Sequence, residues 1–247
     1  MAPYIGVTGF MSHDEVQSVL EVVPQDASHK LMVGVLASWK TVSGRGNKHP
    51  GRYPTMDDIG HVFVDDPRTV NLIHYATDDV HTLLEQTEQL ERYTGPHHAG
   101  YQLNICWPEP GIVSKSLRTD HRVVLQIGGH ALAQMNNNPP TLAAALDAYD
   151  GLITDLLIDP SGGNGRPFDP VLAGELLSAI SQRHPKLGLG VAGGLSAQTL
   201  RLVEPLVRLF PNLSIDAEGK LRNPSDDSLN VVAARQYVAA AYKLFDR

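Results

Sequence analysis

Eight short apolar runs alternate with helix-length segments along the 247 residues. The runs are Tyr4 to Val7, Leu31 to Ala37, Val70 to Tyr75, Tyr101 to Cys106, Arg122 to Ile127, Ile153 to Ile158 closed by Asp159, Leu187 to Ala192, and Leu213 to Asp216. Apolar runs of this kind suit strands covered on both faces, as in a parallel sheet. Between them lie helix signals. Ser12 with Glu15 three residues later has capping-box spacing, and that helix runs to about Val23, before Pro24. Thr55 caps Met56 to Val62, and Thr77 caps Asp78 to Tyr93. Val113 to Leu117 and Thr141 to Tyr149 follow. Pro170 to His184 carries Leu172, Leu176, Leu177 and Ile180 on one face. Ser196 caps Ala197 to Phe210, and the last helix covers Asp226 to Phe245. Strand and helix alternate with no spare element, which predicts a (β/α)8 barrel rather than an open doubly wound sheet. No repeat or linker divides residues 1–247, so one barrel domain is expected.

The stretch Gly151 to Asp169, GLITDLLIDPSGGNGRPFD, carries the first functional signal. Asp159 closes the sixth run, at the carboxyl end of a strand, where parallel α/β proteins bind ligands. Gly162, Gly163 and Gly165 follow, and such a turn can present backbone N–H groups to an anion. A plain tight turn, with Asp159 as an Asx-turn residue before Pro160, is the alternative. Ser38 to Pro54 is a second signal. It is long and polar, carries Lys40, Arg45, Lys48 and Arg52, and leaves the end of the second strand. A loop of that length reads as a candidate lid, or as a mobile insertion without a role.

Composition narrows the classes. Apolar residues are 42% and charged residues 19%, values ordinary for a globular protein. A net charge of −7 argues against a nucleic-acid or membrane-surface binder. Cys106 is the single cysteine, which rules out an internal disulfide framework or a CxxC site. MAPYIGVTGF lacks the basic-then-apolar pattern of a signal peptide, and no run approaches the ~18–20 apolar residues of a membrane helix. A cytoplasmic location is therefore expected. No HxH or HExxH spacing occurs, so neither a metal site nor a cofactor is expected.

LLID-PSGGNGRPFD resembles the sixth-strand motif of the phosphoribosylanthranilate isomerase family: leucines, an Asp, a GGxG loop and Phe-Asp. GVAGGL at Gly190 to Leu195 is similar to the family's seventh-strand AGGL turn. Gln102-Leu103 resembles the start of its QLHG, Arg52-Tyr53 its RYVS element, and Val7 to Gly9 sits where the family has ICG. These matches span nearly the whole chain in the order a (β/α)8 barrel requires. The resemblance implies an Amadori rearrangement, aminoaldose to aminoketose, in tryptophan biosynthesis. It puts Asp159 in the place of the general acid that opens the sugar ring. Arg52 falls where the family grips the substrate's aryl carboxylate, a role that suits a guanidinium fork. A solvated loop cation is the alternative for Arg52. Gly193 and Gly194 fall where backbone cradles phosphate, and the run from Asp216 to Gly219 falls where the family completes that site.

The departures lie on the same face. Thr8 stands where the family has its cysteine base, and an alcohol is no base without an activating partner. Gly6 replaces a lysine, and Glu218 would repel a phosphate unless Lys220 or Arg222 offsets it. Cys106, His130 and His74 are the candidate bases, with His130 better placed because glycines precede it. His97-His98 read as surface on the opposite loop. The expected function is therefore an Amadori-type isomerase acting on a small, phosphorylated substrate as a monomer or homodimer. A related epimerase, aldolase or lyase is one alternative, and a non-catalytic barrel that binds a small anion is another.

Overall fold

The computed structural model describes residues 1–160 and 169–246. Its strands are β1 (Tyr4–Thr8), β2 (Lys30–Ser38), β3 (Thr69–Ala76), β4 (Gly100–Leu103), β5 (Arg122–Gly128), β6 (Asp155–Asp159), β7 (Gly188–Ala192) and β8 (Ser214–Ala217). Each pairs in parallel with the next, and β8 pairs with β1, so the sheet closes into an eight-stranded barrel. This is the expected (β/α)8 fold.

The period of two along each strand sorts side chains between two cores. Outward residues such as Ile5, Val33, Ile73, Tyr101, Leu125 and Ile158 pack under the helices. Inward residues form a separate cluster of Tyr4, Met32, Leu72, Val124 and Leu157. Below that cluster, at the amino ends of the strands, Arg122 and Asp155 form a buried pair, Nε to Oδ2 at 2.9 Å. The Arg122 guanidinium also lies 4.8 Å from the Tyr4 ring centroid. Above it, at the carboxyl ends, comes a third layer: Thr8, His74, Gln102, Gln126, Asp159 and Asp216, all buried. An apolar middle layer thus separates two polar ones. Each fully buried aliphatic chain contributes roughly 1.5–3 kcal/mol.

Helix placement follows local signals where a cap is present. Ser12 accepts from Glu15 N at the start of His13–Leu20. Asp169 accepts from Val171 N and Leu172 N ahead of Pro170–Arg183, with Pro170 at the first position. Several expected helices are shorter. Asp78 to Tyr93 resolves into a 3-10 turn, Val80–Thr82, and a helix, Leu83–Glu91. Ala197 to Phe210 becomes a 3-10 turn, Leu200–Leu202, and a short helix, Glu204–Leu209, with Pro205 in its first turn. The last helix begins at Val231, capped by Asn230, because Asn223 to Ser228 first closes a turn with Asp227 at φ +62°. A helix at Gly129–Gln134 was not expected.

The segment after β2 is not structureless. Ser38 caps a single turn, Trp39–Val42, and Asn47 bridges Ser38 and Thr41. A 3-10 turn follows at Pro50–Arg52. Among the described residues, no helix is long and apolar enough to cross a membrane.

Candidate active site

Thr8 ends β1 beside Asp216 of β8, and its hydroxyl lies 3.0 Å from both carboxylate oxygens. Gln102 of β4 donates from Nε2 to Asp216 Oδ2 at 3.1 Å. The same nitrogen lies 3.0 Å from His74 Nδ1 and 3.3 Å from Gln126 Oε1. Gln126 of β5 in turn donates to Asp159 Oδ2 of β6 at 2.8 Å. Two amides therefore connect the two carboxyl groups through the barrel axis. A small cavity of about 40 Å³ opens above them, lined by His74, Asn104, Gln126, Asp159, Asp216 and Glu218, with Gly193, Gly194 and Gly219.

Burial shifts two groups of this layer, Asp216 and His74. Asp216 is pushed up to about 7, chiefly because the ionised form loses its hydration. Glu218 and Asp159 add to the rise, while the bonds from Gln102 and Thr8 oppose it. Burial lowers His74 below the ordinary imidazole value, which favours the neutral ring. Gln102 has two amide hydrogens for three acceptors, and its own Oε1 is buried without a partner.

The rim is held by a second set of charges. Arg52 grips Asp227 with Nε to Oδ2 at 2.6 Å and Nη2 to Oδ1 at 2.7 Å, and it reaches Glu218 Oε1 with Nη1 at 2.7 Å. The guanidinium expected to hold a substrate carboxylate thus holds two carboxylates of its own chain. Arg52, rather than Lys220, offsets Glu218. Arg222 turns inward and donates to the carbonyls of Thr8 and Gly9.

The expected residues divide. Asp159, Asp216, Gly193, Gly194 and Gly219 line the cavity, and Thr8 lies against Asp216. Asp216, expected in the substrate-binding run, is instead a candidate for proton transfer. His130 is exposed on the helix Gly129–Gln134 and Cys106 is exposed beyond the end of β4, so neither is among the lining residues. Burial also pushes the Cys106 thiol up, away from the thiolate a base requires. His74 is the histidine that faces the cavity, which reverses the expected order of the two imidazoles. Gly193 and Gly194 adopt φ +121° and +62°, a region that favours glycine. Ser196 does not start the expected helix, so no long helix dipole backs an anion at Gly193 and Gly194. Gly162, Gly163 and Gly165 lie outside the described residues.

Gln102 and Gln126 were missed as site residues. Their signal was an uncharged polar residue inside an otherwise apolar run, at the strand position level with His74 and Asp159. Wider grooves of about 670 and 770 Å³ lie between outer helices and at the opposite end of the barrel. The first gathers a largely apolar surface along Pro170–Arg183, and in the second Asp147 is already paired with Arg183. The small cavity, where buried titratable groups converge, is therefore the candidate active site. At the opposite end His97 is exposed, but the His98 side chain is only 2% exposed, which corrects its reading as surface. No metal-ligand spacing was visible in the chain, yet the fold brings Glu91, His98 and His121 together there.

No family model matches the chain, and no curated protein does. Solved structures do. Phosphoribosyl anthranilate isomerase from Thermus thermophilus is 14% identical over 98% of this chain and 99% of its own, with a TM-score of 0.65. TrpF from Jonesia denitrificans is 16% identical over 98% of each chain, with a TM-score of 0.59. A Clostridium thermocellum protein that binds two copies of 5-methyl-5,6,7,8-tetrahydrofolic acid is 9% identical over 99% and 95%, with a TM-score of 0.56. At such identities the likeness establishes a shared (β/α)8 fold, end to end, and leaves the reaction to the residues of the cavity.

Proposed function

We propose that the chain is an isomerase of the phosphoribosylanthranilate isomerase type, with Asp159 as general acid and Asp216 as general base. The observation that carries the reading is the buried Asp216 carboxyl. It is poised near neutrality, oriented by Thr8 and Gln102, and shares a cavity with Asp159. A catalytic group works best when its pKa lies near the working pH. Asp159 protonates the ring oxygen of a phosphorylated aminoaldose, the C1–O bond breaks, and an iminium forms. Asp216 removes the C2 proton, and that electron pair makes the enaminol. Loss of the hydroxyl proton and protonation at C1 then yield the aminoketose, with no change in composition. Thr8 orients the base and does not replace the thiol. The backbone at Gly193 and Gly194 is the proposed phosphate cradle. Among the described residues, nothing accepts from either N–H in the loop hydrogen bonds.

The test is turnover of phosphoribosylanthranilate, read as loss of anthranilate fluorescence, with Asp159→Asn and Asp216→Asn alongside. Turnover by the wild type that falls at least about 100-fold in each variant supports the assignment. A folded wild type without turnover overturns it. The Arg52–Glu218 pair favours a second reading, a related isomerase, epimerase or lyase on a different small substrate, because the carboxylate grip is internally occupied. A panel of sugar phosphates and carboxylates, scored by thermal shift, distinguishes that case.

A further inference from the structure

We propose that Glu91, His98 and His121 form a zinc-binding site at the amino end of the barrel, remote from the acidic cavity. Glu91 closes the helix Leu83–Glu91, His98 leads into β4, and His121 leads into β5. One ligand atom from each lies within 4.8 Å of the others.

Hydrogen bonding sets the tautomer of His98. Its Nε2 lies 2.8 Å from Gly100 O, and a carbonyl only accepts, so Nε2 carries the proton. Nδ1 of the neutral ring then presents a lone pair. That atom is buried without a hydrogen-bond partner, on a side chain 2% exposed. His121 repeats the arrangement: its Nδ1 is buried and unpartnered, on a side chain 9% exposed. Both nitrogens face Glu91 Oε1, at 3.6 and 3.8 Å, too far for hydrogen bonds. The two rings stand 4.9 Å apart between centroids at 75°, edge to face.

With the proton of His121 on Nε2 as in His98, two nitrogen lone pairs and a carboxylate oxygen face one another, and they repel unless a cation or proton lies among them. Imidazole and carboxylate are a zinc donor set, and metal–ligand distances of about 2.0–2.2 Å put tetrahedral neighbours about 3.3 Å apart. Closing 3.6 and 3.8 Å to that separation takes shifts of a few tenths of an ångström. The supporting shell is in place as well. Tyr101 donates its hydroxyl to Glu91 Oε1 at 2.6 Å, and Gly100 O fixes the His98 ring. Three protein ligands leave a fourth position for water on the side where Glu91 is partly exposed. Its position ties the end of one outer helix to the starts of two neighbouring strands, so the metal's role is to clamp them. The Glu–x6–His–x22–His spacing matches no compact motif, and folding alone assembles it.

The experiment uses the full chain, stripped with a chelator and then titrated with zinc or cobalt(II). The expected result is one equivalent bound per chain, visible cobalt absorption of tetrahedral type, and a Tm higher with zinc than with chelator. His121→Gln and His98→Gln should abolish stoichiometric binding, while His97→Gln, an exposed neighbour, should retain it. Tyr101→Phe, which leaves every ligand in place, should weaken binding about 10–100-fold. The proposal is overturned if the wild type binds less than one equivalent and melts alike with zinc and chelator. Binding that survives in His121→Gln, or is lost in His97→Gln, overturns it equally. Neither readout depends on enzymatic turnover.

Discussion

Gly6 and Asp216 share one volume inside the barrel. They are register partners on β1 and β8, and a Cβ built on Gly6 would lie 2.6 Å from Asp216 Oδ1 and 2.7 Å from Met32 Cε. The missing side chain at Gly6 is thus what allows a carboxyl group to sit on the barrel axis. Gly6→Ala should cost about 1–3 kcal/mol through overpacking. It should also turn the Asp216 carboxyl away from Thr8. Urea denaturation measures the first effect. Loss of turnover in protein that remains folded measures the second, and unchanged turnover would show that the contact does not govern the site.

The pH dependence of turnover follows from the same residue. Asp216 rises from 3.8 to about 7 in the folded chain. As the proposed base it must be ionised, so kcat/KM should climb through about pH 7. Thr8 lowers the value by its hydrogen bond. Thr8→Val should therefore move the climb to higher pH while turnover at the plateau persists. A thiol-like role for Thr8 predicts instead that turnover vanishes at every pH.

Stability should respond to pH with a fixed sign. The neutral carboxyl is favoured by the fold, so its contribution is fully present below the unfolded value of 3.8 and lost as pH rises through about 7. The difference is roughly 4 kcal/mol at most, from about three pKa units at 1.36 kcal/mol each. Asp216→Asn removes the titration. Its Tm relative to wild type should rise between pH 5 and pH 8, and parallel curves would contradict the burial argument.

The barrel was legible because its signal is repeated eight times: an apolar run for each strand, with helix signals such as the Ser12–Glu15 spacing between several of them. The top layer was less so. Asp159 is visible as the acid that ends a run, but Asp216 becomes a candidate base only beside Gly6, Thr8 and Gln102, residues 114 to 210 positions away along the chain. His74 lies within β3 on its inward phase, whereas His130 follows Gly128-Gly129 and falls on a helix that the sequence did not suggest. Arg52 shows the limit most plainly. A loop arginine announces a charge, while its partners, Glu218 and Asp227, come from a turn near the other end of the chain.

Arg52 allows a direct comparison of binding and structural roles. Its bidentate pair with Asp227 and its bond to Glu218 are partly buried, a geometry that contributes more than an exposed pair. Arg52→Met should destabilise by about 1–3 kcal/mol, since both carboxylates lose a charged donor. If the guanidinium exchanges these partners for a substrate carboxylate, KM rises while kcat is largely preserved. If it serves only to restrain Glu218, kcat falls, because a freed Glu218 carboxylate faces the cavity it now borders.

At the other end of the barrel Arg122 and Asp155 are 5% and 4% exposed, and each side chain's charge is compensated by the other. Thr154 also donates to Asp155 Oδ2 at 2.7 Å, and Arg122 reaches Ala2 O at 2.8 Å. Removing one partner leaves a buried charge, so Arg122→Met should cost about 3–5 kcal/mol. The double variant Arg122→Met with Asp155→Leu replaces the pair by apolar side chains of similar reach and should recover much of that loss. Chemical denaturation of the two variants gives the coupling directly. Because Leu72, Val124 and Leu157 separate this pair from the acidic cavity, the double variant should keep the wild-type pH profile of turnover. A shifted profile would mean that charge at the bottom of the barrel is felt by Asp216 through the apolar layer.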